Sequence, residues 1–382
     1  MSGKLFELIV TTTFGLEAVV KRELLDMGYD NLKVSDGKVE LQGDARDIAT
    51  INMKIRCGER VLIKVGEFKA LSFEELFEKT YALPWEEYIP VDGKFPVEGK
   101  SIKSKLFSIS DSQSICKKAI VEKLKSVYKV DWFEETGDMY KLEVSLLKDI
   151  ATITLDTSGE GLHKRGYRGR AGDAPLKETL AAAMVLLSYW NPSRTLYDPF
   201  CGSGTILIEA AMIGKNIAPG IDRRFASEKF PYVGEKIYKE VRIKCLSEID
   251  SDVQLHLLGS DIDKRSILRA RDNAGMIGVN EDIQFFMKDM RKVDLEDNYG
   301  VVITNPPYGE RMGEIKEVGK LYKDFNKKFK EFKTWSIYLI TSYENYEKLV
   351  GKKADRKRKL YNGRIKTCYY QYYGPRPPRQ GD

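Results

Sequence analysis

The residues with the plainest chemical purpose are Thr304-Asn-Pro-Pro-Tyr-Gly309, at the end of the apolar run Val301-Val-Ile. Two successive prolines fix the backbone and remove N–H donors, so the carbonyls around them are left to accept. An exocyclic amine on a nucleobase is a poor nucleophile, because its lone pair is delocalised into the ring. Acceptors on its two hydrogens, here the Asn305 side-chain oxygen and the Pro306 carbonyl, would localise that pair and aim it at an electrophilic methyl group. Pro307 adds rigidity, and Tyr308 would stack on a base that is flipped out or single-stranded. Such a loop needs no strong general base, since positioning supplies much of the rate. By itself it supports methylation of some amide or base amine, and it does not separate guanine N2 from adenine N6.

A methyl donor needs its own site. Tyr197-Asp-Pro-Phe-Cys-Gly-Ser-Gly-Thr205 follows a strand-like run and opens an apolar helix over 206–213. In open α/β sheets, ligands lie at the carboxyl ends of strands, where glycines let the backbone come close. The dinucleotide fingerprint would place glycines and a helix terminus around a pyrophosphate. Here an acid precedes the glycines, which would repel a pyrophosphate. It suits a cationic, phosphate-free ligand such as S-adenosylmethionine. Candidate cofactor residues are therefore Asp198, Pro199, Phe200, Cys201, Gly202, Gly204 and Thr205, together with Asn305. In Gly259-Ser-Asp-Ile-Asp263, Asp261 can accept from two ribose hydroxyls, whereas Asp263 reads equally as a helix cap. Asp289, in Phe286-Met-Lys-Asp-Met290, is placed to receive an adenine amino group. Any one of these acids is more often a turn or a cap; three at successive strand ends point to one ligand.

The elements that must position these residues alternate. Strands are expected at 195–199, 255–261, 283–287, 301–304 and 335–341, with helices between, which argues for a parallel sheet covered on both faces. The first two site motifs stand farther apart than the about 20 residues of a simple βαβ unit, so 216–253 reads as an insertion. Two tyrosine-rich runs flanking Asn362-Gly363 predict a terminal hairpin. Before the parallel sheet comes an α+β region. Its strands are expected at 6–12, 38–42 and 60–68, and its helices at 16–27 and 44–54. Ser72 and Glu75 predict a capping box for a helix over 72–81. Strand pieces are expected at 95–97 and 106–109, and a helix over 112–128 with Ile115, Ala119, Leu124 and Val127 inward. A hairpin, 140–146 with 150–156, closes the region.

Charge is gathered rather than spread. Of the net +6, an excess of +7 lies between Lys352 and Lys366, where Lys352, Lys353, Arg356 and Arg358 are candidate contacts to a polyanion. A second basic run contributes Lys164, Arg165, Arg168 and Arg170, inside a stretch over 157–173 with five glycines that reads as a linker. Such patches fit nucleic-acid phosphates, although solvated faces explain charge alone equally well. Five scattered cysteines and two histidines argue against a structural metal or a disulfide framework. Neither a membrane-spanning run nor a secretory leader is evident, which makes the cytoplasm the expected location. At 382 residues the chain calls for two or three domains. Oligomeric state is not readable.

Together these motifs resemble the class I S-adenosylmethionine-dependent methyltransferases of the Asn-Pro-Pro-Tyr type. More closely, they resemble the THUMP-domain RNA guanine-N2-methyltransferases, the first half of the 23S rRNA (guanine-N2) enzymes above all. The resemblance is carried by Asp156-Thr-Ser-Gly-Glu-Gly-Leu-His-Lys-Arg-Gly-Tyr-Arg168, Ala174-Pro-Leu-Lys-Glu-Thr-Leu-Ala181, Asp198-Pro-Phe-Cys-Gly-Ser-Gly-Thr205, Ile217-Ala-Pro-Gly-Ile221, Gly259-Ser-Asp-Ile-Asp263 and Asn305-Pro-Pro-Tyr-Gly-Glu-Arg311. It implies a Rossmann-like α/β methyltransferase domain over 174–382. This would follow a ferredoxin-like region (1–65), an RNA-binding THUMP domain (66–156) and a basic linker (157–173). The expected reaction is methylation of guanine N2 in RNA, 23S rRNA first and tRNA as the alternative, with no metal. A DNA adenine or protein glutamine methyltransferase would share the proline loop but not the N-terminal module or the basic linker. A non-catalytic RNA-binding or ribosome-assembly protein would be expected to carry a damaged loop, and both loops are intact.

Overall fold

Alternating apolar residues in the N-terminal third build one antiparallel-rich sheet, seen here in a computed structural model that describes residues 3–168, 176–309 and 312–378. Its elements are β1 (Phe6–Thr12), α1 (Glu17–Asp26), β2 (Lys33–Ser35), β3 (Lys38–Gly43), α2 (Ala45–Lys54), β4 (Gly58–Lys69), α3 (Phe73–Tyr81), β5 (Val97–Ile102), α4 (Ile109–Tyr128), β6 (Leu142–Leu147) and β7 (Ile150–Asp156). The strand order is β2-β3-β1-β4-β7-β6-β5. The face of α1 expected inward, Leu16, Val19, Val20 and Leu24, is buried. The division expected at 65/66 falls inside β4. That strand pairs with β1 along one part and with β7 along the other, with a bulge between Lys64 and Gly66. The two N-terminal regions thus share one sheet.

Three local expectations differ. Residues 106–109 form no strand; Leu106 is buried, and Ser108 caps α4, accepting from Asp111 N at 3.4 Å. In α4 the inward face is Cys116, Ala119, Ile120 and Leu124, while Val127 is 38% exposed. The Ser72 cap forms, but the Glu75 carboxylate takes Leu71 N rather than closing a box.

The second sheet follows with α5 (Glu178–Leu186), β8 (Leu196–Asp198), α6 (Thr205–Gly214), α7 (Gly234–Ser247), β9 (Leu257–Asp261), α8 (Lys264–Met276), β10 (Ile283–Met287), β11 (Val301–Thr304), α9 (Met312–Phe329), β12 (Ser336–Thr341), α10 (Tyr346–Val350), β13 (Arg356–Asn362) and β14 (Ile365–Tyr372). Its order, β10-β9-β8-β11-β12-β14-β13, is parallel except for β14, which runs against both neighbours. The chain order reverses between β8 and β11, the crevice where such sheets bind ligands. The terminal hairpin is present, but Asn362 pairs with Ile365, so its loop is Gly363-Arg364. Gly363 sits at φ +61°, the conformation a type II′ loop asks of its first central residue.

The insertion is a brace. Its α7 packs against α2 of the N-terminal sheet's covering layer, and its short 3-10 turn (Ala226–Lys229) packs on α7 beside the end of β7. Gly220 N donates to Met53 O at 2.9 Å and Ser227 N to Thr157 O at 3.0 Å. Ion pairs join Arg46 to Glu240 and Lys54 to Glu248, and Phe230 stacks on Tyr140 at 4.7 Å. A Cβ on Gly220 would meet the Met53 backbone at 2.9 Å, so only glycine allows this approach. No helix among the described residues is long and apolar enough to cross a membrane.

Candidate active site

The carboxyl ends of β8, β9, β10 and β11 open onto a cavity of about 600 Å³. Its wall includes Pro199, Phe200, Gly202, Asp261, Ile262, Asp289, Asn305, Pro306, Pro307, Tyr308 and Asn362. The proline loop and two of the three strand-end acids, Asp261 and Asp289, widely separated in sequence, therefore face one space.

Asp198 does not reach that wall. It is buried, and Thr304 Oγ1 donates to its Oδ1 at 2.6 Å, Phe200 N at 3.1 Å. The carboxylate thus ties the end of the catalytic strand to the cofactor loop. Burial pushes its pKa up to about 7 against those bonds, and the nearby Asp261 adds to the rise. Asp261 accepts from Gly202 N at 3.1 Å and from Asp263 N at 2.9 Å, which joins two strand ends at the cavity. Asp263 is the cap of α8, taking Arg265 N at 3.0 Å. Asp289 lines the cavity with Arg291 folded back on it, Nε at 3.0 Å, and those hydrogen bonds lower its pKa. In the glycine loop, Cys201 is buried and its N–H holds Ser260 O at 3.0 Å. Gly204 has φ +81°, and a Cβ there would meet the Phe285 ring at 3.0 Å.

The proline loop is anchored from below by a residue the sequence did not suggest. Tyr322 donates to Pro307 O at 2.8 Å and shares a hydrogen bond of 2.7 Å with Thr341. One of the carbonyls the prolines were expected to leave free is therefore taken. Pro306 is buried and Pro307 exposed. Tyr308 lines the cavity, its hydroxyl donating to Asn305 Oδ1 at 2.5 Å. Burial, together with the neighbouring Tyr322, raises the pKa of that hydroxyl.

The two basic runs part company. Arg165 is 2% exposed, with Nε 3.4 Å from Glu209 and further bonds to the Leu162 and Arg56 carbonyls. It cannot offer its charge to a phosphate. Arg168 is likewise turned inward, 3.2 Å from Glu178 and donating to Thr205 Oγ1 at 2.5 Å. Thr205 thus serves the linker junction. Lys164 is exposed beside Glu160, and Arg170 lies outside the described residues. Lys352, Lys353 and Arg356 are exposed and Arg358 half-buried, before and along β13.

Among the described residues no cluster of histidine, cysteine or carboxylate side chains could hold a metal. The cavity fits S-adenosylmethionine: carboxylates for its hydroxyl and amino groups, with apolar Ile262 and Met290 beside them. The sheet and this cavity define a class I S-adenosylmethionine-dependent methyltransferase.

Comparison with known proteins gives the particular family. Residues 165–371 match the RMKL-like methyltransferase domain, 7–62 the RlmL ferredoxin-like domain and 70–156 the THUMP domain. The chain belongs to this RMKL-like methyltransferase family, and its cofactor is S-adenosylmethionine. It is 52% identical, over 99% of its length and 98% of the relative's, to a Bacillus subtilis (strain 168) protein named "Putative RNA methyltransferase YpsC". A Listeria monocytogenes structure described as "a predicted N6-adenine-specific DNA methylase" is 50% identical with a TM-score of 0.93, covering 97% of each chain. The structure of SMU.472 complexed with SAH, the demethylated form of the cofactor, is 44% identical with a TM-score of 0.93, covering 98% of this chain and 100% of that one.

Proposed function

We propose that this protein methylates the exocyclic N2 amine of a guanine in RNA, with 23S rRNA as the substrate and the cytoplasm as the place of action. The carrying observation is that Asn305, its side-chain oxygen already engaged as an acceptor, shares one cavity with Asp261 and Asp289. Bound there, S-adenosylmethionine supplies an electrophilic methyl group. Asp261 and Asp289 hold its polar groups, and Asp198 fixes the loop behind them. Asn305 Oδ1 and the Pro306 carbonyl accept the two amine hydrogens, and Tyr308 covers the base. RNA is supported by the THUMP match and by the name of the Bacillus relative; guanine N2 is supported by the motif resemblance. Lys164, Lys352, Lys353, Arg356 and the partly covered Arg358 serve as phosphate contacts, whereas Arg165 and Arg168 do not.

Nucleoside mass spectrometry of rRNA and tRNA from a deletion strain tests this directly. The expected result is loss of N2-methylguanosine from 23S rRNA. Loss from tRNA instead would move the substrate, and loss of N6-methyladenosine would overturn the base. With the purified protein, Asn305→Ala is expected to abolish transfer while calorimetry finds cofactor affinity near normal.

A further inference from the structure

The proline loop leaves β11, the crossover helix α9 follows, and β12 brings the chain back parallel to β11. One side chain of that helix fills the gap between the two strand ends. Tyr322 is fully buried, with the rings of Tyr343 and Tyr346 edge-on to it at 5.5 and 5.3 Å. Its hydroxyl reaches Pro307 O at 2.8 Å and, at 2.7 Å, the hydroxyl of Thr341, the last residue of β12. Tyr343 N donates to the same Thr341 oxygen at 2.9 Å.

The hydrogens of this chain have one arrangement. A carbonyl can only accept, so the single hydrogen of the Tyr322 hydroxyl goes to Pro307. The Tyr322 oxygen must then take the hydrogen of Thr341, whose own oxygen is filled by Tyr343 N–H. Bonds in series polarise one another, which strengthens the one that ends on the loop. The ring of Pro307 fixes its φ, and its carbonyl shares one plane with the nitrogen of Tyr308. Tethering that carbonyl therefore sets the remaining torsion of Pro307 and the point from which Tyr308 starts. Tyr322 is not in the cavity wall, so the tether draws the Pro307 carbonyl toward the core. Among the described residues nothing donates to the neighbouring Pro306 O. We propose that Tyr322, backed by Thr341, is a positioning residue for methyl transfer: it holds the Pro307 carbonyl out of the cavity and keeps the Pro306 carbonyl as the one that meets the substrate amine. This inference rests on the reading of Asn305 and Pro306 as the amine's acceptors.

Removing single oxygens separates this role from a structural one. Single-turnover transfer is measured with radiolabelled S-adenosylmethionine, the full-length protein and total RNA from cells lacking the gene. Tyr322→Phe keeps the ring between Tyr343 and Tyr346 and is expected to slow transfer about tenfold, the scale of a carbonyl left without its donor. Thr341→Val acts one step further away and is expected to cost about threefold, the scale of one neutral hydrogen bond. Thr341→Ser, which keeps the hydroxyl, recovers most of that loss. In a Tyr322→Phe background Thr341→Val adds no further slowing, and calorimetry finds cofactor affinity unchanged in every variant. A wild-type rate in Tyr322→Phe, a Thr341→Val loss that persists undiminished in that background, or a parallel fall in cofactor affinity overturns the positioning role. Full activity of Asn305→Ala would sink the acceptor reading itself. An inert Asn305→Ala beside a fully active Tyr322→Phe removes only the role of Tyr322.

Discussion

The two basic stretches have similar charge densities and opposite fates. Arg165 and Arg168 turn inward at the junction of the two sheets, whereas the run from Lys352 to Lys359, before and along the edge strand β13, stays on the surface except for the half-buried Arg358. The difference comes from what lies opposite. Two otherwise apolar helices, α5 and α6, each carry one carboxylate into the interior, Glu178 and Glu209. A buried carboxylate must be paired or neutral, and the linker's arginines supply the partners. Tyr167 joins them, donating to Glu209 at 3.1 Å. On β13 only the half-buried Glu347 is engaged, by Lys357 at 2.7 Å, and among the described residues no fully buried carboxylate is paired with that strand's cations. Its lysines and arginines also suit an unpaired sheet edge, which charge protects from further pairing.

The strongest way to break this comparison is to remove one inward charge. Arg165→Ala leaves Glu209 buried without its cation, which costs about 3–5 kcal/mol. Arg356→Ala, on the exposed edge, is expected to change stability by no more than about 0.5 kcal/mol. Urea denaturation of both variants checks it. Similar losses would mean that burial does not distinguish the two stretches energetically.

The signal for the inward fate was present in the sequence, as a single glutamate in each of two apolar helices. A count of charge along one run does not reveal such partners, which lie in other elements. The strands of the second sheet and the site motifs were legible for a different reason. Period and strand-end position are local properties, and the acids and the proline loop each announce a strand terminus. The place of Asn362 in the cavity wall was not legible, because it depends on the register of β13 against β14. The sharing of β4 between two regions was hidden likewise, since a strand's partners are non-local. Tyr322 had no signal beyond being one tyrosine among 21.

Asp198 sharpens the comparison with an inward charge that has no cation. Burial lifts its pKa to about 7 in the fold, above an unfolded value of about 3.9. The folded state therefore binds the proton more tightly. The associated stability is full below pH about 4 and is lost as pH rises toward 7. Cofactor binding runs the other way, because a cationic ligand favours the ionised carboxylate. Affinity for S-adenosylmethionine is expected to be about tenfold lower at pH 6 than at pH 8, the change in ionised fraction across that midpoint. Calorimetry across this range checks it. Asp198→Asn should bind weakly with a flat profile; the same slope in that variant would assign the titration to another group.

The smallest effect belongs to the outward charges, and salt is the way to see it. If Arg356 and Lys353 each neutralise one phosphate, replacing either with glutamine removes about 0.7–0.9 from the slope of log affinity against log salt. Between 50 and 200 mM salt, the difference from the wild type then narrows by about threefold. Fluorescence anisotropy with 23S rRNA fragments resolves that change. Lys164→Gln, exposed beside Glu160, tests whether any of the inner run reaches RNA. An unchanged slope for Arg356 and Lys353 would make the outer run a solvated edge, and the RNA backbone would have to be held elsewhere.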